Sequence, residues 1–175
     1  MVARWQPVHK GHQPILRALC TQSTHALIGI GSSNKYNMRN PFSLEERIAM
    51  LHLVLNKWQN FKLIPVPDLD DGPRWKALIK DLFGPLDLFI TDNPYVAHLL
   101  ADDYPLMKPV ELIAKDDQIP IEGRKVRLAM ASNEKWQKFV PKEIAEYIIS
   151  NQLDKRFRHE FGLQTLALET IMKGD

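Results

Sequence analysis

Short apolar runs alternate with amphipathic stretches along most of the chain. Residues 1–3, 25–30, 61–66, 86–91 and 110–114 are compact apolar runs bounded by Gly, Pro, Asp or Asn, the pattern of buried strands. Between them the spacing turns helical. Residues 14–21 set Ile15, Leu16 and Leu19 on one face, and 74–83 do the same with Trp75, Leu78, Ile79 and Leu82 before Gly84-Pro85 ends the run. Ser43-Leu44-Glu45-Glu46 has the form of a capping box, and Ile48, Leu51, Val54 and Leu55 continue it. Further helices are expected over 95–101, 124–131, 141–150 and 157–172, with 31–42 and 68–73 as loops. Strands alternating with helices predict an α/β fold with a doubly wound parallel sheet and C-terminal helices. Ligands in such folds bind at the carboxyl ends of the strands. With 175 residues and no linker or repeat, one domain is expected, a core over 1–130 and a helical extension over 131–175.

Composition adds exclusions. Hydrophobic residues at 45% and charged residues at 25% are globular values, and Cys20 is the single cysteine, so a disulfide framework and a Cys-based zinc site are ruled out. No apolar run reaches the roughly 18 residues of a spanning helix. Arg4, His9 and Lys10 interrupt what would be the apolar stretch of a signal peptide. A cytoplasmic protein with no membrane partner is expected. The net charge of +2 averages opposed regions: 1–67 hold 8 Lys+Arg against 2 Asp+Glu, while 68–117 hold 5 against 11. The basic first third also carries four of the six histidines. That points to a small anionic ligand; a nucleic-acid partner would call for a more widely basic chain.

Chemistry concentrates directly after the first strand, in Arg4-Trp5-Gln6-Pro7-Val8-His9-Lys10-Gly11-His12. Gly11 lets a ligand approach the backbone, and a helix start offers free N–H groups suited to phosphate. His9 and His12 add donors, while Arg4 and Lys10 add fixed charge. Two histidines three apart also suit a metal, but no third ligand stands nearby.

This stretch resembles the signature of the HxGH nucleotidyltransferases, Rossmann-like enzymes that join a nucleotide to a phosphate-bearing acceptor. Ile30-Gly31-Ser32-Ser33, the run Arg39-Asn40-Pro41-Phe42 with Glu46-Arg47, Asp68 with Trp75, Thr91-Asp92-Asn93-Pro94 and Gly123-Arg124-Lys125-Val126-Arg127 follow in order. Together they are similar to the archaeal-type nicotinamide-mononucleotide adenylyltransferases over residues 3 to 130. The resemblance implies a transfer of AMP from ATP to nicotinamide mononucleotide, giving NAD and pyrophosphate. It implies Mg2+ carried mainly by ATP oxygens and water, and a homo-oligomer, often a hexamer.

By position, the resemblance implies His9, His12 and Arg127 as the catalytic set. It implies Arg4, Gln6, Pro7, Lys10, Gly11, Arg39, Asn93 and Arg124 around ATP, and Ser32, Asp68 and Trp75 around the acceptor. Other readings stand beside these. Trp75 also fits a core position, Asp68 and Asn93 turn positions, and Arg39 an ion pair with Glu45 or Glu46. Lys155-Arg156-Phe157-Arg158-His159 reads as a solvated helix face, and Asp70-Asp71 and Asp102-Asp103 as exposed loop charge. The family pattern is broken at Glu122 and Arg124, where hydroxyl residues are expected, and at Gly72, where an asparagine is. These departures leave room for nicotinate mononucleotide or another cofactor precursor as acceptor, for a cytidylyltransferase, or for a non-catalytic nucleotide-binding module. The first strand begins at Met1, earlier than in the family, and is expected to be short.

Overall fold

A computed structural model describes residues 1–173, with side chains to Ile171. The last residues of the extension, 174–175, and the side chain of Met172 lie outside this description. The chain folds as two compact units interleaved in sequence: Met1–Arg4, Pro14–Lys35 and Trp58–Gln118 form the first, and Trp5–Gln13, Tyr36–Lys57 and Ile119–Asp175 the second.

The first unit contains every strand among the described residues. β1 (Val2–Ala3), β2 (Ala26–Gly31) and β3 (Phe61–Val66) form a parallel sheet in that order, with Ala3 opposite Ile30 and Gly31 opposite Val66. This register brings Arg4, Ser32 and the loop after β3 to one carboxyl edge. β4 (Phe89–Ile90) and β5 (Leu106–Met107) make a second parallel pair. Helices α3 (Gly72–Phe83) and α4 (Pro94–Leu100) flank the strands. Ile64, Val66, Ile79, Phe83, Phe89, Leu100 and Tyr104 form one buried cluster there. Gly29 is required by this packing: a Cβ on it would stand 2.6 Å from Val2 Cγ2 and 3.0 Å from Phe83 Cζ. Helix α1 (His12–Gln22) crosses from β1 to β2 and buries Ile15, Leu16 and Leu19. The result is a Rossmann-like α/β fold, a parallel sheet with flanking helices, as the alternating pattern predicts.

The second unit is helical: α2 (Leu44–Val54), α5 (Gly123–Ala131), α6 (Lys142–Ser150) and α7 (Leu153–Lys173). The capping box is present in full. Ser43 Oγ accepts from the Glu46 N–H, and Glu46 Oε2 accepts from the Ser43 N–H at 2.9 Å. Met50, Leu51, Val126, Met130, Trp136, Ile144, Ile148 and Phe157 are buried.

Five expectations need correction. The strand expected at 110–114 is a 3-10 turn at Pro109–Leu112, because Pro109 withholds a donor and the Glu111 carboxylate takes the Lys108 N–H at 2.9 Å. The preceding strand shrinks from 86–91 to Phe89–Ile90, and α7 begins at Leu153 rather than 157. Asp103 is no loose loop charge: Lys76 and Lys80 both reach it at 2.5 Å and hold its carboxyl below the usual range. The run 155–159 is a solvated face only in part: Lys155 and His159 are exposed, but Phe157 is buried and Arg158 donates to the Met130 carbonyl at 3.0 Å. Among the described residues no helix is long and apolar enough to cross a membrane.

Candidate active site

The loop after β1 is bent by a left-handed Trp5 (φ 55°) and a cis Gln6–Pro7 bond. Trp5, Pro7 and Val8 are buried. Gln6 is buried too, and its amide clamps Phe42: Nε2 donates to the Phe42 carbonyl at 3.0 Å and Oε1 accepts the Phe42 N–H at 2.9 Å. Its own carbonyl accepts from Arg127 Nη1 at 2.6 Å. The Lys10 N–H donates to the Phe139 carbonyl at 2.9 Å. These bonds fix the loop on both sides of His9.

His9 and His12 stack face to face, with ring centroids 3.5 Å apart, and the edge of Trp5 meets His12 at 4.7 Å. The His12 N–H donates to the His9 carbonyl at 2.9 Å, and the His9 N–H donates to His12 Nδ1 at 3.3 Å. Accepting at Nδ1 puts the proton of a neutral His12 on Nε2, which is then a donor. Burial, with a smaller push from the Arg127 charge, lowers His9 to about 4. Burial and then His9 press His12 well below its ordinary range. Both rings are neutral at pH 7, as a pair stacked this closely requires. His9 Nδ1 is buried with no hydrogen-bond partner among the described residues. Gly11 is necessary here for a protein reason: a Cβ would stand 2.8 Å from the Ile119 carbonyl oxygen and 3.1 Å from His9 Nδ1. The chain at 119–121 uses the approach expected for a ligand.

The second unit gathers Gln6, Pro7, His9, Lys10, Gly11, His12, Arg39, Arg124 and Arg127. Arg127 is buried on α5. Arg39 is exposed on a tight turn bridged between Asn37 and Asn40, where Asn37 Oδ1 accepts the Arg39 and Asn40 N–H groups at 3.0 and 3.1 Å. It makes no ion pair among the described residues; Glu46 is taken by Arg156 instead. Arg124 is bound to Glu169 on α7 at 2.6 Å.

The first unit holds the remaining candidates. Arg4 is exposed at the end of β1, and Ser32 is buried in a left-handed conformation (φ 50°) at the end of β2. The backbone of Asp68 pairs with the Asn34 amide, at 2.8 and 2.9 Å, leaving a half-buried carboxylate at the loop start. Asp71, not Asp68, caps α3. Trp75 is half-buried on α3 against the apolar cluster. Asn93 caps α4, its oxygen accepting the Tyr95 and Val96 N–H groups, which is the turn role. Sequence reasoning gave no role to Asn40, Arg47 and Arg156. All three carry polar groups into the interior, and only the Glu-Arg pair at 46–47 hinted at one of them.

A parallel sheet whose first strand runs into a paired-histidine loop at a helix start defines an α/β protein of the nucleotidyltransferase type. Residues 1–71 match the Cytidylyltransferase-like family. The chain is 32% identical over 151 residues to a nicotinamide-nucleotide adenylyltransferase of Methanococcus vannielii, covering 85% of this chain and 86% of that protein. The enzyme of the same name from Pyrococcus furiosus is 32% identical over 153 residues, 84% and 80% of the two chains. The chain belongs to the nicotinamide-nucleotide adenylyltransferase family. A solved bifunctional NMN adenylyltransferase/ADP ribose pyrophosphatase of Francisella tularensis shares its fold, with a TM-score of 0.74 at 15% identity. It is covered over 99% of this chain and 55% of its own, so the chain spans about half of that protein's length.

Proposed function

We propose that this protein transfers AMP from MgATP to nicotinamide mononucleotide, giving NAD and pyrophosphate. The observation that carries this reading is the neutral, stacked His9/His12 pair at the start of α1, in a chain one-third identical to enzymes of that name. The nucleophile is a phosphate oxygen of the mononucleotide, ionised at pH 7, so no general base is needed. Its oxygen bonds to the α-phosphorus as the α–β bridging P–O bond breaks, and pyrophosphate leaves with the electron pair. The protein then has two tasks, alignment and stabilisation of the charge gathering on the α-phosphate and leaving group.

His12 Nε2–H donates to the α-phosphate, and His9 and Lys10 serve the neighbouring phosphates. Arg39 and Arg127 hold the triphosphate. Arg124 joins them by leaving Glu169. Asp68, Trp75 and Ser32 receive the acceptor, with Trp75 against its cationic ring. Among the described residues no three His, Cys, Asp or Glu side chains cluster as a metal site would need. In this reading Mg2+ enters with ATP, carried mainly by phosphate oxygens and water. The reading extends to the cytoplasm and to a homo-oligomer; the oligomer is supported by Leu163 and Ile171, which stand 85% and 65% exposed on α7.

The test is incubation with ATP, Mg2+ and a panel of phosphorylated acceptors, following pyrophosphate and the adenylylated product, with CTP as the competing donor. NAD from nicotinamide mononucleotide supports the reading. Product from CTP but not ATP, or tight ATP binding with no product from any acceptor, overturns it.

A further inference from the structure

The C-terminal helix carries an arginine that the transfer reading leaves unused. Arg156 on α7 donates from Nη1 to Glu46 Oε1 at 2.5 Å, and from Nη2 to Glu46 Oε2 and to the Pro41 carbonyl, both at 2.8 Å. The same guanidinium lies 5.9 Å from the Tyr36 ring centroid. Tyr36 donates its hydroxyl to Glu160, one turn further along α7, and sets its ring 5.3 Å from Phe161. Helix α7 therefore holds the segment 36–46 at its beginning, middle and end.

That segment carries Arg39. It also carries Phe42, the residue clamped by the Gln6 amide, and Gln6 accepts from Arg127. A continuous set of hydrogen bonds runs from Arg156 through Pro41 and Phe42 to Gln6 and Arg127, all within the second unit. An exposed arginine on a short turn keeps its conformational freedom unless the ends of the turn are fixed, and that freedom must be given up when a phosphate is gripped. The planar fork of a guanidinium can bind a carboxylate with two nitrogens and a carbonyl in the same plane; an ammonium cannot.

We infer that Arg156 is a positioning residue for the triphosphate, acting through Pro41 to set the turn that presents Arg39. The inference rests on the nucleotidyl-transfer reading and is separable from it, because MgATP binding is measured apart from turnover. The full-length chain is assayed for MgATP affinity by calorimetry and for NAD formation, as wild type, Arg156→Met, Arg39→Ala and the double variant. Arg156→Met should raise the MgATP Kd and KM about tenfold and leave the KM for nicotinamide mononucleotide within about twofold. Arg39→Ala should cost far less in the Arg156→Met background than in the wild type, since its turn is already released. If Arg156→Met does not fold, Arg156→Lys carries the comparison, with a loss of about threefold expected. Folded Arg156 variants with wild-type MgATP affinity, or Arg156 and Arg39 effects that simply multiply, overturn the inference. A wild type that binds MgATP but makes no NAD defeats the transfer reading alone; one that binds no MgATP defeats both.

Discussion

A histidine that donates to phosphate at neutral pH, the part proposed for His12, needs a fixed proton position more than it needs charge. The His9 N–H on His12 Nδ1 supplies this, and stacking on His9 with an edge contact to Trp5 keeps the ring in place. His12→Ala should therefore lower kcat by roughly 10²–10³ with the circular dichroism unchanged, the scale of one lost transition-state donor. Near-normal turnover would remove His12 from the mechanism. The same burial makes the pair a source of acid sensitivity. His9 protonates near 4 in the folded chain and near 6.5 when unfolded, so the unfolded chain binds more protons between these values. Stability attributable to His9 should fall by about 2 kcal/mol from pH 7 to pH 5 and level off below 4. Urea midpoints of wild type and His9→Asn at both pH values check this; equal losses in the two would dissociate the effect from His9. The histidines were legible in the sequence because motif and helix start lie within one short segment. Arg156 was not, because its partner Glu46 stands 110 residues away and a basic helical run carries no mark of which side it faces.

Elements were legible where the determining interactions are local. The capping box at Ser43–Glu46 and the helix it opens follow from four residues, and the run at 61–66 needed only its own apolar content and the Asn60 and Pro67 that bound it. The strand expected at 110–114 failed because its apolar content resembles a strand while Pro109 and the Glu111 side chain satisfy the backbone as a turn. The short strands β1, β4 and β5 depend on partners rather than on propensity, which puts their limits beyond local reading. The cap offers a clean contrast between stability and function. Ser43 Oγ accepts the Glu46 N–H at 3.3 Å, so Ser43→Ala should cost about 1 kcal/mol, seen as a lower urea midpoint at unchanged m-value. Its KM for MgATP should stay within about twofold, since Arg156 still holds Glu46. A large rise in KM would show that the cap, and not α7, sets the Arg39 turn.

At the scale of the whole molecule, the net charge of +2 conceals a division that follows the two units. The unit with the histidine pair holds 14 Lys+Arg against 10 Asp+Glu, and the unit with Asp68 and Trp75 holds 9 against 11. His9, Lys10, Arg39 and Arg127, the residues proposed for the triphosphate, lie in the positive unit, and Asp68 and Trp75, proposed for a mononucleotide with a cationic ring, lie in the slightly negative one. The two substrates should then respond differently to salt. MgATP is a dianion, and its attraction to Arg39, Lys10 and the net positive unit is screened as the Debye length shrinks from about 10 Å at 0.1 M towards about 3 Å at 1 M. Nicotinamide mononucleotide offsets its phosphate with the pyridinium and offers less charge to screen. Raising KCl from about 50 to about 500 mM should increase the KM for MgATP severalfold and that for the mononucleotide less than twofold. Initial rates with one substrate saturating and the other varied give both constants. A salt response equal for the two substrates would mean that the division of charge serves solubility, and that Arg39 and Lys10 hold the phosphates through local hydrogen bonds alone.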